Sequence, residues 1–111
     1  MNVIFANSRL QRDCCDMARM TRVYGPDAAR RLAQRMQELE AVDTLADMRM
    51  LPGTGAHELK GSRKGQVSLR IHGSLRLIVV PAMETIPTSA GGGLAWDRVD
   101  AVRVQEIVDY H

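Results

Sequence analysis

The sequence is poor in the residues that usually fill or staple a small core. Phe5, Tyr24, Trp96 and Tyr110 are the only aromatics among 111 residues. Seven methionines occupy space that rings would otherwise take, which implies an adaptable core. Cysteine is confined to Cys14 and Cys15, and adjacent positions on a helix diverge by about 100°. They make poor disulfide partners, which argues against a stapled secreted scaffold and for a reducing, cytoplasmic setting. The opening run Met1 to Ala6 is too short for a signal segment, and no apolar run reaches the ~20 residues that span a bilayer. Lysine is scarce too: thirteen of the fifteen cations are arginine, and only Lys60 and Lys64 are lysine. Arginine offers a planar fork that grips phosphate with two bonds, although a GC-rich genome produces the same bias.

What is present describes one globular domain, residues 1–111. A chain of this length buries roughly two-thirds of the surface it exposes unfolded, enough for a single modest core. A quarter of the residues are charged and 45% are hydrophobic, so disorder is not expected. Asn2 to Ala6 predicts a first strand. Ser8 with Gln11 three residues on reads as a capping box, and Leu10, Cys14, Met17 and Thr21 follow at helical spacing. Tyr24-Gly25-Pro26 stops that helix and starts another, with Ala28, Leu32, Met36 and Leu39 along one stripe. Arg30, Arg31, Gln34, Arg35 and Glu38 are expected on its solvent surface, with Arg35 pairing to Glu38. The two helices should form an antiparallel hairpin. A short helix or turn capped by Thr44 and Asp47, then the loop Pro52 to Gly55, brings the chain to His57.

From His57 to Val80 the pattern is three short strands joined by glycine turns. Lys60, Arg63, Lys64, Arg70 and Arg76 lie along it against the single acid Glu58. Val67, Leu69 and Ile71 alternate with polar neighbours at the period of a half-buried strand. A three-residue turn would set Arg76 opposite His72 and align Leu77 and Val79 with Leu69 and Val67. Arg70, His72 and Arg76 are then expected together on the open face. Pro81 to Asp97, with two prolines and Gly91-Gly92-Gly93, reads as a long mobile loop. A last strand over Val99 to Val108 runs into Asp109-Tyr110-His111. If it pairs antiparallel with Leu75 to Val80, these three residues approach His57.

That gathering suits metal-free RNA cleavage. A base removes a ribose 2′-OH proton, the alkoxide attacks the adjacent phosphate, and an acid protonates the departing 5′ oxygen. Imidazole is the natural shuttle, with an ordinary pKa near ~6.5, and Arg or Lys offsets the charge that builds on phosphorus. Tyr110 could stack a base or orient an imidazole. Each residue also has an ordinary reading: His57 as the start of a strand, His111 as a frayed end, Lys60, Arg63 and Lys64 as a solvated turn. A metal held by His57, Asp109 and His111 fits less well with the usual tight ligand sets.

The run His57-Glu58-Leu59-Lys60-Gly61, the strand Leu75-Arg76-Leu77-Ile78 and the final Ile107-Val108-Asp109-Tyr110-His111 resemble the HigB branch of the RelE/ParE toxin superfamily. The resemblance extends over nearly the whole chain. It implies an α+β, RelE-like fold: an antiparallel sheet meander with an N-terminal strand and a two-helix hairpin packed on one face. It implies a type II toxin, a ribosome-dependent endoribonuclease that cuts mRNA in the ribosomal A site without a cofactor or metal. Its catalytic groups would match His57, Arg76, Asp109, Tyr110 and His111, and its RNA-binding surface Lys60, Arg63, Lys64 and Arg70. The protein partner would be a cognate helix-turn-helix antitoxin. Two departures are the long 81–97 loop and Val79, where relatives often carry an aromatic. The alternative is a binding toxin of the same fold, acting by gyrase inhibition or as an antitoxin-binding module.

Overall fold

The computed structural model describes residues 1–110. The elements are β1 (Asn2–Phe5), α1 (Ser8–Cys15), α2 (Met17–Tyr24), α3 (Pro26–Ala41), β2 (His57–Glu58), β3 (Val67–His72), β4 (Leu75–Pro81) and β5 (Ala101–Asp109). They build an α+β fold in which helices cover one face of a five-stranded mixed sheet, ordered β1-β5-β4-β3-β2. β2 to β5 pair antiparallel with their neighbours, while β1 runs parallel to β5. No helix among the described residues is long and apolar enough to cross a membrane.

The helical layer differs from the two-helix hairpin expected. The cap of α1 is Asn7, not Ser8: its Oδ1 accepts from the Leu10 amide at 2.8 Å, and Ser8 is already helical. The expected first helix is then split. Asp16 leaves helical geometry (φ −117°, ψ 107°) and its carboxylate accepts from the Arg19 amide, so it caps a separate α2. Aspartate competes with helix by bonding nearby amides, which is why the apolar spacing could run on while the backbone did not. An Asp13–Arg19 ion pair bridges the break. Gly25, at φ 88°, closes α2, and Pro26 opens α3.

Leu32, Met36 and Leu39 of α3 meet Val67, Leu69, Leu77, Val79, Val102 and Val104 of the sheet in one core. Arg35 belongs to this buried layer rather than to the surface, at 2% exposure. It survives there because all its sides are satisfied: Nε donates to the Arg70 carbonyl, Nη2 to the Gly53 carbonyl and Nη1 to Glu38, each at 2.7 Å. The guanidinium therefore ties α3 to β3 and to the loop before β2.

Residues 81–97, expected to be one mobile loop, begin with the last residue of β4 and are tied at several points. Leu94, Ala95 and Trp96 are buried, the Leu94 amide donates to Glu58 at 2.9 Å, and Ser89 and Gly93 close a tight turn. Trp96 carries the Arg49 guanidinium 3.5 Å from its ring centroid.

Candidate active site

The face of the sheet away from the helices carries the candidate chemistry. Cross-strand partners share a face, so one row reads His57, Ser68, Ile78, Glu106 from β2 to β5. The next row reads Arg70, Arg76, Val108. With strands ~4.8 Å apart and ~3.4 Å per residue, the Cα atoms of His57 and Arg76 stand about 12 Å apart. A phosphate between them is reached from both sides when the Arg76 guanidinium extends toward β2.

The hairpin register corrects one expectation. Leu69 and Val67 do face Leu77 and Val79, but Arg76 stands opposite Arg70, and His72 opposite Leu75, with a bulge between. The extra residue is Ile71. A bulge re-aims the side chains that follow it. His72 consequently leaves the open face and lines a cleft on the helix side with Asp27, Arg30, Arg31 and Gln34. Alternation in the sequence holds no sign of this, because a bulge leaves the polar–apolar pattern of β3 intact.

His57 is exposed, and its Nδ1 lies 2.9 Å from the Gly55 carbonyl. A carbonyl only accepts, so Nδ1 carries the proton and Nε2 is the atom left for proton transfer. Arg76 is half-buried; its Nη1 donates to the carbonyls of Gly73 and Leu75 at 2.7 and 2.9 Å. These bonds fold the guanidinium against the β3–β4 turn and leave its other N–H groups for an anion.

Lys60 and Lys64 are both exposed in the β2–β3 loop, whose glycines turn at positive φ. Arg63 is already engaged there. Its Nη1 donates to Gln66 at 2.9 Å and reaches across the sheet to Glu106 at 2.5 Å. The hydrogen bond to Glu106, and then the charges of Glu106 and Tyr110, hold its guanidinium above the usual range. The loop thus roofs the centre of the face, and Ser68 and Ile78 beneath it are buried. The Ser68 Oγ has no hydrogen-bond partner among the described residues. Neither Glu106 nor Ser68 stood out in the sequence, since only the folded loop joins Arg63 to a residue 43 positions away.

At the end of β5, Asp109 stands opposite Leu75 and so has the helix-side parity, one strand position away from Tyr110. Its carboxylate accepts from the Ser74 hydroxyl, and the Tyr110 amide donates to the Ser74 carbonyl at 3.0 Å. The strand end is clamped to the β3–β4 turn through these bonds. Tyr110 is exposed and close enough to influence Arg63. His111, a candidate catalytic group, lies outside the described residues. Among those residues no three His, Cys, Asp or Glu side chains gather as a metal would require.

No family model matches this chain, and no curated protein does. The functional reading therefore stands on the residues themselves.

Proposed function

We propose that this chain is an RNA-cleaving toxin of the RelE/HigB kind, acting on mRNA at the ribosome and held in check by a small helix-turn-helix antitoxin. The observation that carries the reading is the common face of His57 and Arg76, with the imidazole pinned through Nδ1 so that Nε2 is presented. A phosphodiester laid over that face meets a proton-transfer atom from β2 and a cation from β4. Arg76 offsets the charge that develops on phosphorus. Nε2 of His57 serves as acid toward the 5′ oxygen when protonated, and the base is supplied from the Asp109–Tyr110–His111 end. Tyr110 offers a ring for a splayed base beside Arg63. Asp109 acts by pinning the strand end to Ser74 rather than by facing the same row.

Induced expression in bacteria without antitoxin tests this reading. Wild type should arrest growth and generate new mRNA 5′ ends within codons, and His57→Ala should do neither while remaining folded. Arrest that persists in His57→Ala, with intact mRNA, would favour a binding toxin instead.

A further inference from the structure

A second cationic site lies on the other side of the hairpin. His72, turned by the bulge, faces α3 across a cleft of about 450 Å³ lined by Asp27, Arg30, Arg31 and Gln34. An adjoining hollow is lined by Arg31, Arg35, Arg70 and His72, with Gly53, Ile71 and Gly73. The charges divide unevenly. Arg30 is neutralised by Asp27 and Arg35 by Glu38, while no ion pair among the described residues engages Arg31 or Arg70. Two uncommitted guanidinium groups and an imidazole thus line one hollow beside β3, where the loop before β2 covers the strand edge and the Arg70 amide donates to the Thr54 carbonyl at 2.7 Å.

We infer that this cleft is a second phosphate subsite, in which Arg31, His72 and Arg70 hold an RNA backbone phosphate away from the scissile one. The inference rests on the RNA reading above. Arg70 gives the continuity: it lines the hollow and is also the direct cross-strand partner of Arg76 on the open face. An RNA strand passing from the cleft to the open face by way of Arg70 therefore meets Arg31, Arg70 and Arg76 in turn. The lining also argues against an acidic protein segment as occupant. Protein partners anchor through apolar side chains in pockets, and the lone apolar side chain here, Ile71, is buried in the core.

The test is fluorescence anisotropy of the full chain with a 2′-O-methyl oligoribonucleotide, which binds but cannot be cut, at several salt concentrations. Arg31→Ala and His72→Ala should each weaken binding about tenfold, the loss of one charge-assisted phosphate contact. Arg31→Ala should also lower the salt slope by about 0.7, the release expected for one phosphate of a single strand. Gln34→Glu, a surface change that adds a negative charge to the cleft, should weaken binding without removing any ligand. Arg12→Ala on α1 should change nothing. Wild-type affinity in Arg31→Ala, His72→Ala and Gln34→Glu overturns the subsite, as does competition by polyglutamate equal to that of RNA. Growth arrest on induction separates the two proposals: arrest by the wild type with wild-type oligomer affinity in Arg31→Ala and His72→Ala overturns the subsite alone, whereas a wild type that neither arrests growth nor binds the oligomer overturns the RNA reading beneath it.

Discussion

Arg70 stands directly opposite Arg76 across the β3–β4 pair. Like charges so placed oppose folding by about 0.2–1 kcal/mol, a strain that a bound anion relieves. Arg70→Thr should therefore raise stability in low salt by up to about 1 kcal/mol. Inorganic phosphate should stabilise the wild type more than this variant. Thermal melts with and without phosphate measure both effects, and equal phosphate shifts in the two proteins would count against an anion seat.

Under the proposed function, Arg76→Ala should lower the rate of mRNA cutting by about 10²–10³-fold, the usual loss when one donor to a developing charge is removed. The fold should survive, since among the described residues the guanidinium bonds to local turn carbonyls alone. Primer extension on mRNA after induction, with a melt of the purified variant, checks both halves.

Arg35 is a structural residue. Arg35→Met keeps most of the volume but leaves the Arg70 and Gly53 carbonyls and Glu38 without their donor. The expected loss is about 3 kcal/mol, and urea unfolding should show it. A variant as stable as wild type would mean that these groups find other partners.

Ser68→Ala removes a buried hydroxyl that has no partner among the described residues. Stability should rise by about 1 kcal/mol, the reverse of the usual effect of a core substitution. Chemical denaturation decides the sign.

The two cysteines should react in a fixed order. Burial, and then the charges of Cys15 and Asp13, push the Cys14 thiol up to about 12. Cys15 is also raised, by partial burial and then by Glu40, but it is exposed. A raised thiol pKa lowers the thiolate fraction at any given pH, so both should alkylate more slowly than a free thiol. At pH 8, peptide mapping after iodoacetamide should find Cys15 modified first and Cys14 only upon unfolding.

Much of the fold was legible because periodicity reports burial: the strand of Asn2 to Phe5, the stripe of α3, and the alignment of Leu69 and Val67 with Leu77 and Val79 all follow from it. Failures came where one local contact overrides periodicity. Asp16 breaks a helix whose apolar spacing continues, and Ile71 bulges within a strand whose alternation looks regular. Arg35 was misplaced for another reason: an arginine is charged in any sequence, and only three converging oxygens in space make it a core residue. For the candidate site, His57, Arg70 and Arg76 could be read from one basic strand-rich stretch. Glu106 and the roof made by Arg63 could not, because they depend on a loop folding across four strands.

β1 finds its partner only at the far end of the chain: Asn2 pairs with Ala101, and β5 lies between β1 and β4. Contacts so distant in sequence close late and slow folding, because loop closure must precede their reward. The β2–β4 meander can form early from local contacts. The strand that brings Glu106 and Tyr110 to the open face then docks late against β4, and β1 joins the sheet through it. Arg70 and Arg76 are thus paired on their hairpin before Glu106 and Tyr110 arrive beside them. Under the proposed function, that order delays the onset of activity by topology alone.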